Sequence, residues 1–294
     1  MNKNKILIII FISFISVFIS KNSYSQSVPI KINEEGFLFI PVTLNDSITA
    51  NFVLDTGGGM IVLSNSVFQK IKSTAKFHGY ETGFRHDGER LDGEFYEIPA
   101  LSIDSYKLNN VIAGNFALLD EIELDGIISL KFFENQPFTI DFKNKILTME
   151  SAESLKNIAN NAANIPIMLD YFSDYAIDMY IPLVINNSLT LKAEFDTGSG
   201  FYPLSINPYY MSMLGFDSTN TKREEYSTPI SHIKLNNYTG TLNSVQLNGV
   251  SSIELKNKNV TFQANMIHQA LIGSEIFKDK ALTIDIQSKK MYVR

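Results

Sequence analysis

The sequence predicts a mainly β protein built from two similar lobes, and three observations predict it. The chain of 294 residues repeats itself at an offset of 141. Each copy reads as apolar, β-prone segments broken by Asn, Asp, Ser and Gly turns. The period is domain-sized, well above the about 20–50 residues of a solenoid repeat. With 45% hydrophobic and 19% charged residues, the composition is that of a globular chain and excludes wholesale disorder. A formal charge of −6 gives no basic patch for nucleic acid, so no nucleic-acid partner is expected. The absence of cysteine excludes disulfides, thiolate nucleophiles, Cys-ligated zinc, iron–sulfur clusters and a lipid anchor on an N-terminal cysteine.

The first segment, 1–25, reads as an address. Two lysines precede Ile6 to Ser20, fifteen residues of Ile, Leu, Phe, Val and Ser, and Ser23-Tyr24-Ser25 is a small-x-small cleavage triplet. A membrane anchor is the alternative, but a bilayer-spanning helix needs about 20 apolar residues. Cleavage before Gln26 would leave 269 residues of mature chain (294 − 25), exported to the periplasm or secreted, with no membrane anchor. Two lobes then follow, 26–150 and 165–294, joined by a polar Asn- and Ala-rich linker over 151–164. Its sequence fits a short helix or a loop equally.

The repeat is visible residue by residue. Ile40-Pro41-Val42-Thr43-Leu44-Asn45-Asp46-Ser47-Ile48-Thr49 returns as Ile181-Pro182-Leu183-Val184-Ile185-Asn186-Asn187-Ser188-Leu189-Thr190, and 11 of the 25 positions from Ile40 to Ser64 are identical. Phe138-Thr139-Ile140-Asp141-Phe142 reappears as Leu282-Thr283-Ile284-Asp285-Ile286 at an offset of 144. In each copy a β-prone run, a turn at Asn45-Asp46-Ser47 or Asn186-Asn187-Ser188, and a second strand lead into Asp-Thr-Gly. Short helices are predicted to start near Ser64 or Asn65 and near Asn207-Pro208, where cap-type residues precede an apolar pattern.

The paired triplets, Asp55-Thr56-Gly57 and Asp196-Thr197-Gly198, carry the chemistry. One Asp-Thr-Gly by chance is expected in about one chain in twenty of this length, whereas two at equivalent places in a repeat are not a matter of composition. A tight loop after an apolar strand can present a carboxylate to a cleft between lobes. Glycine lets a second loop approach closely, and the threonine hydroxyl can bond across to that loop. Two carboxylates about 3 Å apart cannot both ionise and therefore share one proton. The ionised member can act as general base on water while the protonated one bonds the scissile carbonyl.

On these residues the sequence resembles the aspartic proteases of the pepsin and retroviral-protease type. The family's second motif, two apolar residues and a glycine, is matched by Leu271-Ile272-Gly273, and Asp125-Gly126-Ile127-Ile128-Ser129-Leu130 is similar to its pepsin-type form. The resemblance implies a bilobal, pepsin-like acid-protease fold of two similar β-barrel-like lobes with a few short helices. It makes Asp55 and Asp196 the catalytic pair, with Thr56, Gly57, Thr197, Gly198 and Ser199 supporting the loops. It implies a monomeric aspartic endopeptidase acting on peptide or protein, with no cofactor and no metal. Two positions depart from the family pattern. Gly58 stands where Ser, Thr or Ala is usual, so Asp196, beside Ser199, is expected to hold negative charge more readily than Asp55. Ser129 stands where glycine is usual, which predicts looser backbone packing behind Asp55. A second reading therefore keeps the fold as a peptide-binding module with weak or lost catalysis.

The resemblance also implies a β-hairpin flap, matched by His78 to Ile98 with His86-Asp87-Gly88 as its tip, and an ordinary solvated hairpin is the alternative reading of the same residues; spacing does not choose between Tyr80 and Tyr96 as flap tyrosine. About ten residues separate the cut site from the first strand read at Gly36, too few for an inhibitory prosegment. His78, His86, His232 and His268 lack metal-ligand spacing and read as surface or structural residues. Lys222-Arg223-Glu224-Glu225 reads as a solvated loop. Asp125, Asp141 and Asp285 read as structural carboxylates.

Overall fold

The computed structural model describes residues 25–202, 204–228 and 232–294; the leader expected over residues 1–25 lies, but for Ser25, outside them. The described residues form two eight-stranded sheets and one six-stranded sheet. In the first lobe the strands run in the order Lys31–Ile32, Leu38–Leu44, Ile48–Asp55, Gly126–Ser129, Val62–Ser64, Tyr106–Phe116, Arg90–Ile103 and Lys76–Phe84. The second lobe repeats that order with Met168–Phe172, Ala176–Ile185, Leu189–Phe195, Ala270–Ile272, Leu204–Ile206, Val250–Phe262, Lys234–Leu247 and Lys222–Ser227. Each sheet curls until a long strand meets an early one, Leu44 opposite Leu101 and Leu183 opposite Leu247. The architecture is thus mainly β, bilobal and barrel-like.

Local chemistry explains the shared elements. Asn45, Asp46, Asn186 and Asn187 all take positive φ, between 47° and 57°, a conformation that Asn and Asp tolerate better than other side-chain-bearing residues. The helix Asn65–Ile71 is capped by the Ser64 hydroxyl, which accepts from the Val67 N–H at 3.2 Å. Asn207 caps the 3-10 turn Pro208–Tyr210 in the same way, at 3.0 Å to the Tyr209 N–H. In the stretch between the lobes, Ser151 caps a helix, Ala152–Asn161, and the strand Ala163–Pro166 follows.

The six-stranded sheet draws on both halves of the chain, in the order Gln26–Pro29, Ile146–Met149, Phe138–Asp141, Ala281–Asp285, Lys290–Val293 and Ala163–Pro166. At its centre Thr139 pairs with Thr283, their hydroxyls 2.6 Å apart and both side chains buried. The duplicated Thr-Ile-Asp motif therefore meets its own copy. Asp141 and Asp285 each accept from a backbone N–H in the turn that follows, Asn144 at 2.8 Å and Ser288 at 3.2 Å. Asp125 accepts from the Asn51 N–H at 2.8 Å.

One expectation is corrected. Lys222-Arg223-Glu224-Glu225 is not a loop but the start of the edge strand Lys222–Ser227, paired with Lys234–Leu247. Its backbone is satisfied on one side, and its charges of both signs face water, with Lys222–Glu224 at 2.5 Å and Lys234–Glu225 at 2.7 Å. Charges of this kind keep an edge strand from recruiting another.

Candidate active site

Asp55 ends the strand Ile48–Asp55, and Asp196 follows directly on Leu189–Phe195. Each strand has a parallel neighbour, Gly126–Ser129 and Ala270–Ile272. Phe52, Leu54 and Phe195 are completely buried, so both aspartates leave their sheets from a packed apolar base. Both strands alternate apolar and polar residues at their starts and become buried towards the aspartates, over Phe52 to Leu54 and Ala193 to Phe195.

The two loops are clasped symmetrically. Thr56 Oγ1 donates to the Phe195 carbonyl at 2.5 Å, and Thr197 Oγ1 to the Leu54 carbonyl at 2.7 Å. The Thr56 N–H donates to Thr197 Oγ1 at 3.0 Å, and the Thr197 N–H to Thr56 Oγ1 at 3.1 Å. Both threonines are completely buried. Glycine is required beside them. A methyl group on Gly57 would lie 2.7 Å from Cγ of Asp196, and one on Gly198 would run into the Asp55 carboxyl. Each loop is also held by the opposite lobe, through Ile177 N–H to the Gly59 carbonyl at 3.1 Å and Phe201 N–H to the Glu35 carbonyl at 2.7 Å.

The carboxyl groups are not equivalent. Asp55 Oδ1 accepts from the Gly57 N–H at 2.9 Å, whereas Asp196 Oδ2 accepts from the Ser199 hydroxyl at 2.5 Å. Burial pushes Asp55 well above the usual carboxylate range, and the charge of Asp196 and a hydrogen bond with it push the same way. The backbone N–H groups of Gly57 and Gly58 pull it back only in part. Asp196 Oδ1 is buried with no fixed donor bonded to it. A proton shared between two adjacent carboxyls would supply a donor to such an oxygen.

The second difference lies behind the loops. Gly273 packs so closely on the Gly200 carbonyl that any side chain would collide with it, and Ser274 bonds that same carbonyl through its N–H at 2.7 Å and its hydroxyl at 3.1 Å. The first loop takes another path, with the Met60 N–H on the Gly58 carbonyl at 2.5 Å. Ser129, the counterpart of Gly273, is completely buried, and its hydroxyl accepts from the Lys131 N–H at 3.3 Å. Its side chain caps the turn that follows.

The structure adds ionisable groups that sequence reasoning missed. Glu194 sits two residues before Asp196 on one strand face, is 4% exposed, and lies 3.2 Å from Nε2 of His268. Burial, followed by the charges of Asp196, Asp178 and Asp55, pushes Glu194 up to about 9. Burial, with His86 and Lys192 nearby, pushes His268 down to about 4. Asp178, raised by burial to about 6, faces Gly59 of the first loop. At the offset of 141 the counterparts of Glu194 and Asp178 are Val53 and Phe37. A carboxylate where the other copy is apolar was the available signal.

The hairpin of Lys76–Phe84 and Arg90–Ile103 turns over Arg85 to Glu89, with Gly88 at φ +79°. Tyr80 is 74% exposed beside Phe77, while Tyr96 packs on Phe68 and bonds Glu94 at 2.6 Å. Two tyrosines meet this hairpin from the other lobe: Tyr175, whose hydroxyl bonds Glu81 and whose ring packs edge-on against His78, and Tyr226, whose hydroxyl bonds Asp87. Among the described residues no group of three or more His, Cys, Asp or Glu side chains is placed to hold a metal ion.

Comparison with known proteins agrees with this geometry. Residues 40–132, the first copy of the motif, match the family model described as aspartyl protease. No curated protein sequence matches the chain. Among solved structures, basic 7S globulin from soybean superposes with a TM-score of 0.52 at 9% identity, covering 92% of this chain and 94% of that one. Conglutin gamma, a basic 7S globulin from lupine seeds, gives 0.54 at 8% identity, and the structure titled edgp gives 0.52 at 10%, both with the same coverage of 92% and 94%. At such identities the likeness is one of fold. The fold is pepsin-like.

Proposed function

We propose that this chain is an aspartic endopeptidase in which Asp55 and Asp196 share one proton and activate a water molecule. The observation that carries the reading is the reciprocal clasp of Thr56 and Thr197, which brings the two carboxyl groups together at the end of two buried strands. Asp55, kept protonated by burial and by its neighbour, donates to the oxygen of the scissile carbonyl. Asp196, steadied by the Ser199 hydroxyl, takes a proton from the water as its oxygen attacks the carbonyl carbon. The tetrahedral intermediate then collapses: Asp196 passes the proton it took from water to the amine nitrogen, the C–N bond breaks, Asp55 takes back its proton from the former carbonyl oxygen, and a carboxyl and an amino terminus leave. In this reading the mature chain works outside the cytoplasm as a monomer, on peptide or protein substrates.

A second reading, a pepsin-like peptide-binding module, is favoured by Gly58, which leaves Asp55 without the hydroxyl that Ser199 gives Asp196. One experiment separates the two. Mature protein and its Asp196→Asn variant are incubated with a diverse peptide library from about pH 3 to 8, where shared carboxylate protons matter. Cleavage by the wild type, blocked by a statin-type inhibitor and lost in the variant, is expected. Peptide retention without cleavage at any pH sinks the hydrolytic reading in favour of the binding module.

A further inference from the structure

Hairpin tips ordinarily stand in water, and charged residues on them are seldom buried. Here Asp87 is 2% exposed and Glu89 6% exposed, although they flank the turning glycine Gly88. The second lobe covers them. The Ile267 N–H donates to the His86 carbonyl at 3.1 Å, and the Tyr226 hydroxyl donates to Asp87 Oδ2 at 3.2 Å. A methyl group on Gly88 would lie 3.2 Å from the Asn265 carbonyl oxygen. Asp87 Oδ1 in turn accepts from the Glu89 N–H at 3.1 Å, and Arg85 pairs with Glu89 at 3.7 Å, so the tip is braced internally as well. Burial, with Asp87 beside it, pushes Tyr226 up to about 12, which keeps its hydroxyl a donor.

The rest of the hairpin is fixed too. Its strand Arg90–Ile103 is part of the first-lobe sheet, Glu81 is bonded by Tyr175, and Gly83 lies over Met60 of the Asp55 loop. The hairpin therefore starts in one lobe, passes over Met60 of the Asp55 loop, and is tied down on the other.

We infer that this hairpin is a strap latched across the cleft by the Asp87–Tyr226 and His86–Ile267 bonds. Asp87 and Tyr226 are specificity-determining residues that admit flexible peptide segments able to thread beneath the strap and discriminate against cyclic or folded ones. The inference rests on the peptide-processing reading of the same cleft. A linear segment passes under a tied strap end first, whereas a closed ring or a folded loop enters only after the tip has lifted. The latch thus places its own opening free energy on bulky ligands alone.

The test uses the full mature chain, its Tyr226→Phe and Asp87→Asn variants, and a statin-type peptide in linear and head-to-tail cyclised form. Binding is measured, so that no turnover is needed. With the hydrogen bond removed in Tyr226→Phe, or stripped of its carboxylate charge in Asp87→Asn, the ratio of linear to cyclic affinity is expected to fall, about 10-fold in Tyr226→Phe and less in Asp87→Asn. Hydrogen exchange at the Ile267 amide is expected to quicken by a similar factor, and it reads the latch with no ligand present. An unchanged ratio, or Ile267 exchange that does not move, overturns the inference, as does a wild type that binds the two forms equally or binds neither. Tight binding of the linear form without cleavage would sink the hydrolytic reading alone and leave the strap supported. Asp87→Asn keeps the side chain's size and serves if Tyr226→Phe fails to fold.

Discussion

Thr56 and Thr197 each serve as the other's partner twice, once through the hydroxyl as acceptor from a backbone N–H and once through the loop that the hydroxyl bonds. Because both are completely buried, neither can exchange these bonds for water. Thr197→Val keeps the shape but strands the Leu54 carbonyl and the Thr56 N–H. At about 1–3 kcal/mol for each unsatisfied buried group, a loss of about 2–6 kcal/mol is expected. Denaturant unfolding of the variant checks it, and a change within error of zero would show that the clasp is ornamental.

Ser199→Ala removes the donor on Asp196 Oδ2. A hydroxyl in that place favours the ionised carboxylate, so its loss makes the negative charge on the pair harder to hold. The acid limb of the kcat/KM profile is expected to move to higher pH, while the fold stays intact. Because the two groups titrate together, the limb reports the pair. An unmoved profile would remove Ser199 from the proton bookkeeping.

Gly198→Ala tests the close approach. Its methyl group would collide with the Asp55 carboxyl, which is fixed by the Gly57 N–H and cannot withdraw. Overpacking of this kind costs about 1–3 kcal/mol or more, and peptide cleavage should fall by at least about 10²-fold, the lower end of what a positioned acid–base group contributes. Thermal unfolding and single-turnover assays read the two effects separately.

Glu194 and His268 make stability depend on pH in opposite senses. Glu194 is raised in the folded chain, so its favourable contribution is complete below its ordinary value near 4.5 and is lost as pH rises towards about 9. His268 is depressed, so its contribution is complete above its ordinary value near 6.5 and is lost as pH falls towards about 4. The stability of Glu194→Gln relative to wild type should therefore climb between about pH 4.5 and 9. Melting temperatures recorded across that interval decide it; parallel curves would mean that Glu194 is not held neutral by its surroundings.

The parts of this molecule that can be read in one dimension are those that the chain states twice. Asp55 and Asp196, their glycines, and the turns at Asn45 and Asn186 announce themselves by recurring at one offset, and the structure brings the two Asp-Thr-Gly loops together while each turn closes the matching hairpin of its own lobe. What cannot be read depends on partners remote in sequence. Tyr226 meets Asp87 across 139 positions, and His268 finds Glu194 across 74, so neither pair leaves a local pattern. The edge strand at Lys222 hides for another reason. Its charges follow the composition of a loop, and only the neighbouring strand makes it β. Ser129 looks like a lapse from the motif until its hydroxyl is seen capping the next turn.

The six-stranded sheet has a consequence for how the chain can be cut. Three of its strands, Gln26–Pro29, Phe138–Asp141 and Ile146–Met149, precede the helix Ala152–Asn161, and the other three follow it. The seam between the two sets is a single ladder from Phe138 opposite Ile284 to Asp141 opposite Ala281. A protease nick in that helix would thus yield two fragments of comparable size that stay zipped along the seam. Expressed separately, the halves would act as complementary pieces of a split protein, each carrying one aspartate and silent without the other.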